Sequence, residues 1–397
     1  MSESVVFFAD TKVDQNRNLC DKLEELFEKT IGPAISEGER ICLKTHFGKF
    51  GNIAYMRPAI LRKLVDLLKA KGAIVALGET CGIGFSREGP FGGRTSATDY
   101  FENAAMNGYS IGTMNAPLIL LDGELGADTF DYDIQDGELL KIVAVARGLI
   151  GFDKTIVFSH AKGHHGTGLA GAIKNLGIGM VGKYGKASCH TDVNVPLSID
   201  QEKCLGEACS ECIRKCPMLC MAFEENKLRI DKRRCIHCFH CESICHRKVG
   251  QKAISGQFEE NAENFAKKVA ESAAGVVRLC EEIYNELFFF NLLLDISPVC
   301  DCNNHTPRYI SPDIGILASK DPVAIDQAAI DLINAEPPIP GSLVASLKPG
   351  EDKFAALFGK TDDKGEMKPM ISHKIQIQHA EKMGLGSSDY ELAALER

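Results

Sequence analysis

Eight cysteines between residues 204 and 245 stand in two runs, and this stretch must fold around whatever they hold. CLGEACSECIRKCP carries Cys204, Cys209, Cys212 and Cys216, with Pro217 behind the last; CIHCFHCESIC carries Cys235, Cys238, Cys241 and Cys245. The last two intervals of each run leave two and then three residues between thiols. Three closely spaced thiolates can wrap three irons of a cubane from one tight loop, while the fourth cysteine of the run reaches the neighbouring cluster. The ligand sets therefore cross: Cys204, Cys209, Cys212 and Cys245 for one [4Fe-4S] cluster, and Cys235, Cys238, Cys241 and Cys216 for the second. A pair of zinc sites built from CxxC pairs is the competing chemistry, but it does not call for this doubled register.

The pattern resembles that of two-cluster bacterial ferredoxins, with two departures. The first interval is Cys-x4-Cys, and His246 stands where a proline often follows the last cysteine. Cys220, four residues beyond Cys216, reads as a buried packing thiol. The flanks mark residues 199–255 as an inserted ferredoxin-like module between a first part, 1–198, and a second part, 256–397. The insert carries a side-chain charge of +3 in a chain of net charge −9, so the remainder is −12.

That acidic balance argues against nucleic acid or an anionic membrane as partner. The N-terminal MSESVVFFADTKV lacks a basic region and an apolar core for export, and ELFFFNLLLDI from 286 is too short to span a bilayer. Sixteen cysteines without an export signal imply a reducing cytoplasm and metal ligation rather than a disulfide framework.

Around the insert, helix and strand periodicities alternate. ICLKT (41–45), AIVALG (73–78), LILLD (118–122), TIVFS (155–159), FFFNLLL (288–294) and IGILA (314–318) read as short buried strands. NLCDKLEELFEKTI (18–31), PAILRKLVDLLKAKG (58–72), GELLKIVAVARGLI (137–150) and PVAIDQAAIDLINAE (322–336) read as helices. This predicts an α/β fold, a largely parallel sheet with helices on both faces. Residues from 335 read as loop, and the closing ISHKIQIQHAEKMGLGSSDYELAALER as helical docking or a homo-oligomer contact.

Polar residues gather at the carboxyl ends of these strands: Lys44 and His46, Glu79 and Cys81, Asp122, His160 and Asp295. Ligands of open α/β sheets bind there, which predicts one shared site. The stretch SHAKGHHGTGLAGAIKNLGIG (159–179) fits it. Gly163, Gly166 and Gly168 are expected to let the backbone approach a ligand, Lys162, Lys174 and the start of a helix to favour an anion, and Lys44, Gly171 and Asn175 to join in binding a cofactor. His160 and His164, four residues apart, would suit a metal on a helix, but the glycines predict a loop. In PVCDCNNH, Cys300 and Cys302 read as structural thiols, with metal binding alongside His305, or catalysis, as the other readings.

KTHFGKFGN (44–52), SHAKGH with GAIKNLGIG, the CDC at 300–302 and DIGILASKDPVAIDQAAIDL (313–332) together resemble the iron-sulfur centre proteins of domain of unknown function 362. The subgroup it looks like carries a ferredoxin insert. The resemblance implies the split α/β domain and two clusters, but no reaction. GETCGIGFSREGPFGGR (78–94) departs from the shorter, polar turn of that subgroup, which points to a different substrate. Two function classes follow. In the first, clusters relay single electrons from a ferredoxin or other redox protein to a small anionic substrate, with a flavin or a further metal ion as additional cofactor candidates. His46, His160, Lys162, His164 and His190 are then the catalytic candidates. In the second, the chain is a non-catalytic electron-transfer or scaffold subunit that docks a redox partner.

Overall fold

Strand Glu286–Leu293, ELFFFNLL, shows how the core is divided. Phe288, Phe290 and Leu292 join one buried cluster and Phe289 and Leu293 another, as the two-residue period of a strand requires. Neighbouring strands sort likewise: Ile41, Leu43, Ile156 and Phe158 face the first cluster, Cys42 and Val157 the second. Strands apolar on both faces need cover on both sides. Helices Leu19–Lys29, Pro58–Ala70 and Ala97–Met106 supply it on one face. Ala172–Gly177, Ala262–Glu282, Pro322–Ala335 and Ser372–Lys382 supply it on the other. The computed structural model describes residues 4–83, 93–191, 197–256, 261–361, 367–368 and 370–396.

The fold is α/β. The eight-stranded sheet has the order Tyr390–Ala394, Ser4–Asp10, Gly315–Ser319, Glu286–Leu293, Lys154–His160, Arg40–Lys44, Ile74–Glu79, Leu118–Leu120. Only Gly315–Ser319 runs antiparallel to its two neighbours; the other adjacent pairs are parallel. Local chemistry sets the helix starts. Asn18 accepts from the amides of Cys20 and Asp21 while Asp21 accepts from the Asn18 amide, a reciprocal cap, and Asp321 caps the helix that begins at Pro322.

Two sequence expectations give way. GELLKIVAVARGLI is not a helix: Ile142–Ala146 is a strand antiparallel to Thr129–Asp133. Its β-branched residues Ile142, Val143 and Val145 favour a strand, all but Ile142 of the five strand residues are buried, and the preceding amides of Glu138, Leu139 and Leu140 are tied to the buried Glu271 carboxylate. The closing stretch begins with a helix, Ser372–Lys382, but ends as strand Tyr390–Ala394 on the sheet edge.

Between the two parts of the α/β sheet, Leu197–Ile199 pairs antiparallel with Ile254–Gly256. The residues enclosed by this ladder include a hairpin of Met221–Glu224 with Lys227–Ile230 and a small core containing Cys220, Leu228 and Ile254.

Candidate functional site

Because the strands Arg40–Lys44, Ile74–Glu79, Lys154–His160 and Glu286–Leu293 are parallel, their carboxyl ends meet at one edge. There the described residues enclose a cavity of about 250 Å³. His46, Glu79 and His160 line it directly. Lys44 stands behind Glu79, its ammonium 2.5 Å from the carboxylate and 2.9 Å from Asn175 Oδ1. Tyr100 Oη donates to the other Glu79 oxygen at 2.9 Å. Three strand-end residues go elsewhere: Asp122 accepts from the Cys81 amide, the Cys81 thiol lies 3.6 Å from the Gly123 carbonyl, and Asp295 pairs with Arg57 at 2.5 Å. Of the turn 78–94, residues 84–92 lie outside the described residues.

His160 and Lys162 are organised by a residue the sequence reading passed over. Asp301, between the two cysteines of CDC, is wholly buried and meets His160 Nδ1 at 3.0 Å and Lys162 Nζ at 3.0 Å. His160 Nε2 lies 2.7 Å from the Leu294 carbonyl, and Lys162 also donates to the His160 carbonyl. Both ring nitrogens of His160 therefore face oxygen acceptors, and neither is left to offer a substrate a proton. Burial pushes the Asp301 carboxyl up, but Lys162 and His160 outweigh it and hold it well below the usual carboxylate range.

The glycines serve protein packing more than ligand approach. A Cβ on Gly163 would come within 2.3 Å of the Pro298 carbonyl, and one on Gly168 within 2.9 Å of His373. One on Gly171 would meet Asp326 Oδ1 at 2.1 Å. Asp326 is itself the anion at the start of helix Ala172–Gly177, accepting from the amides of Ala172 at 2.7 Å and Ile173 at 2.9 Å. The expected anion-binding helix start is thus filled by the protein's own carboxylate. Gly171, Lys174 and Asn175 still line the cavity; Gly163 and Gly168 are not among its walls.

The thiols of CDC face the same space. Cys300 and Cys302 line it, and a nitrogen of His164 lies within 4.8 Å of both sulfurs. The exposed His305 is not part of this group. Cys300 Sγ accepts from Lys174 Nζ at 3.5 Å and from the Cys302 amide at 3.5 Å. The Cys302 thiol, Lys174 and Lys162 lower the Cys300 thiol well below its usual range against the opposing effect of burial. Burial alone would lower Lys174, but Cys300 and Cys302 keep it raised. His164 lies on strand Lys162–His164, not on a helix or loop, paired with Gly168–Ala170.

The other two candidate histidines, His46 and His190, are pushed down by burial and nearby cations. Burial and then Arg94 push His46 well down. Its Nδ1 accepts from the Gly48 amide at 3.0 Å, and its Nε2 lies 2.8 Å from Arg94 Nη1. Burial, with His165 and Lys174 adding to it, takes His190 down to about 3, and its ring packs on Phe265. Two cavity cations were not legible beforehand. Arg94 donates to the Cys302 carbonyl at 3.1 Å, and Lys186 donates to Thr80 Oγ1 at 2.7 Å. Neither pairs with a carboxylate among the described residues. Burial brings Lys186 down to about 8. Lys186 follows Lys183 by three residues on helix Lys183–His190, the one clue the sequence offered.

Cysteine side chains line two further cavities, one by Cys204, Cys209, Cys212 and Cys245, the other by Cys216, Cys235, Cys238 and Cys241 with Cys220 beside them. In each, three thiols come from one run and one from the other. Four thiols around a small apolar space fit the donor set of a cubane. Cys220 Sγ, 3.5 Å from Cys216 Sγ, makes a fifth thiol at the second cavity. Helix Lys183–His190 joins this region to the strand-end site: Lys183 acts electrostatically on Cys238, Tyr184 packs on His237 at 5.1 Å, and Lys186 and His190 line the strand-end cavity. Eight helical residues span roughly 12 Å.

No helix among the described residues is long and apolar enough to cross a membrane. A 49-residue segment is 45% identical to an uncharacterised protein of Methanocaldococcus jannaschii, covering 12% of this chain and 18% of that one. A 50-residue segment is 34% identical to a ferredoxin of Methanothermococcus thermolithotrophicus, covering 12% of this chain and 83% of the ferredoxin. Among solved structures, a Thermotoga maritima protein aligns with TM-score 0.36 at 11% identity, over 70% of this chain and 52% of its own. The lactate racemase apoprotein of Thermoanaerobacterium thermosaccharolyticum aligns with TM-score 0.34 at 10% identity, over 73% and 51%. The chain spans about half the length of these two structures and a smaller part of the M. jannaschii protein. The model of the domain of unknown function DUF362 matches residues 41–331, well over half of the sequence, and the chain belongs to that family.

Proposed function

We propose that the chain is an iron-sulfur oxidoreductase that passes single electrons through two [4Fe-4S] clusters to a small anionic substrate in the strand-end cavity. The observation that carries this reading is the sorting of eight thiols into two cavities with three ligands from one run and one from the other. When bound, such clusters supply low-potential single electrons. The chain's own contribution is made in the cavity. Arg94 and Lys186, without carboxylate partners among the described residues, bind and orient the anion. Helix Lys183–His190 supports electron passage because its two ends touch the two regions. A subunit that only docked a redox partner would have no use for a cavity lined by four cations and two thiols, which favours the enzyme.

The test begins with anaerobically purified protein. Iron and acid-labile sulfide are expected in the amounts two cubanes require, and a flavin, if bound, would appear in the spectrum after acid release. Cys216→Ser is expected to damage the cluster nucleated by Cys235, Cys238 and Cys241, and Cys245→Ser the other one, as resolved by electron paramagnetic resonance. Zinc in place of iron, or damage confined to the cluster of each cysteine's own run, would overturn the assignment.

A further inference from the structure

We infer that Cys300 and Cys302 are a redox-active dithiol that reduces a disulfide-bearing anion in the strand-end cavity. The inference deepens the proposed function by naming the substrate class, and rests on it only for the source of electrons. Three arrangements carry it. Both sulfurs line the cavity, with a His164 nitrogen within 4.8 Å of each. Cys300 Sγ accepts from the Lys174 ammonium and from the Cys302 amide, a setting that favours the thiolate, which is the nucleophilic form. Arg94 and Lys186, neither in a carboxylate ion pair among the described residues, supply positive charge for an anionic substrate beside the sulfurs, with Asp122 and Glu79 acting on Lys186 from further off.

The same three side chains have the composition of a metal site, but their surroundings argue against a cation. His164 Nδ1 accepts from the amides of Gly166 at 3.2 Å and Thr167 at 3.1 Å. That leaves the ring proton on Nε2, so neither nitrogen is free to ligate; a ligating histidine usually donates its other N–H instead. Lys162 is neutralised by Asp301 and the lining carboxylate Glu79 by Lys44, but Arg94, Lys174 and Lys186 line the cavity outside any carboxylate ion pair among the described residues, and three such cations repel another while favouring a thiolate.

The chemistry balances as thiol–disulfide exchange. Cys300 thiolate attacks one sulfur of the substrate R–S–S–R′; the Cys300–S bond forms, the S–S bond breaks, and R′S⁻ leaves and takes a proton from solvent. Cys302 then attacks the Cys300 sulfur, its proton passing to the departing RS⁻, which leaves a Cys300–Cys302 disulfide. Two electrons from a one-electron donor of the reduced ferredoxin class, with one proton, restore the Cys300 thiolate and the Cys302 thiol. The sum is two electrons and two protons taken up for each disulfide reduced to two thiols.

Dithiobis(nitrobenzoate), an aromatic disulfide bearing two carboxylates, serves as the probe on anaerobically purified full-length protein, with release of the coloured thiol followed by stopped flow. The parent is expected to release two equivalents in a fast phase and to end with Cys300 and Cys302 cross-linked, as read by mass spectrometry after alkylation. Cys302→Ser should release one and retain the other on Cys300, and Cys300→Ser should lose the fast phase. Lys174→Met should slow the burst several-fold and move its pH profile upward, because the ammonium that favours the Cys300 thiolate is gone. Thermal melts of each variant guard against misfolding, and Lys174→Met leaves both thiols present. A fast phase that survives Cys300→Ser, or a stoichiometric metal ion lost with it, overturns the dithiol. Iron and sulfide contents separate the two readings. A burst without clusters would leave the dithiol standing and remove its electron source, whereas clusters without a burst would remove the dithiol alone.

Discussion

Replacing Asp301 by asparagine tests the arrangement at the centre of the site. The carboxylate is wholly buried, 3.0 Å from His160 Nδ1 and 3.0 Å from Lys162 Nζ. Asparagine keeps the shape and one acceptor oxygen but leaves the buried Lys162 ammonium without a counter-charge. Removing one partner of a buried pair destabilises by about 3–5 kcal/mol. A retained amide oxygen recovers about 1 kcal/mol, so the net loss is roughly 2–4 kcal/mol. Urea unfolding at neutral pH, followed by near-ultraviolet circular dichroism, measures it. The double variant Asp301→Asn with Lys162→Met removes the orphaned charge, and a coupling of at least about 1 kcal/mol is expected between the two sites. The pH dependence has a fixed sign. The Asp301 carboxyl is held below its unfolded value of 3.8, so its contribution is present above that pH and lost as pH falls below it. The gap between parent and Asp301→Asn should therefore narrow in acid. A variant within about 1 kcal/mol of the parent at neutral pH, below the range expected for a broken buried pair, or a gap that widens on acidification, would refute the reasoning.

Glu271→Gln should destabilise by about 1–3 kcal/mol, because the buried carboxylate accepts from three backbone amides and the amide group turns one acceptor into a donor; an unchanged urea midpoint would contradict this. Phosphate- and carboxylate-bearing ligands should raise the melting temperature by mass action. Lys186→Met should lose that protection, while Lys162→Met should lower the melting temperature without any ligand, because its charge is committed to Asp301. The reverse pattern would return the anion site to Lys162. A short Gly-Ser linker from residue 198 to 256 should leave a soluble α/β protein with a cooperative thermal transition, since Ser198 and Ser255 are ladder partners; insoluble material would show that the intervening residues complete the core.

What could be read beforehand depended on how local its cause is. Strand runs such as TIVFS and FFFNLLL were legible because two-sided burial leaves a continuous apolar run. The meeting of His46, Glu79 and His160 followed from parallel strands ending at one edge. IVAVA was misread because its apolar residues suit either period, and its partner strand Thr129–Asp133 is mostly exposed. The glycines of 163–171 looked like ligand contacts because their actual neighbours, Pro298, His373 and Asp326, lie more than a hundred residues away in the chain. Asp301 was hidden between two cysteines that drew the eye to sulfur chemistry. Arg94 and Lys186 carry no motif, and only the folded structure reveals that they lack carboxylate partners.

The position of Ser4–Asp10 in the sheet bears on the order in which the chain can assemble. Strands Arg40–Lys44, Ile74–Glu79, Leu118–Leu120 and Lys154–His160 pair among themselves as they emerge from the ribosome. Strand Ser4–Asp10 has no such early partner among the described strands. Its neighbours are Gly315–Ser319 and Tyr390–Ala394, so SVVFFAD waits for more than three hundred further residues before either edge is paired. At about 5–20 residues per second that is an interval of tens of seconds, in which an apolar β-forming segment stays open to misassociation. Holding that segment, by a chaperone or by early docking of helix Leu19–Lys29 beside it, is then a kinetic requirement for productive synthesis, separate from anything the finished molecule needs to stay folded.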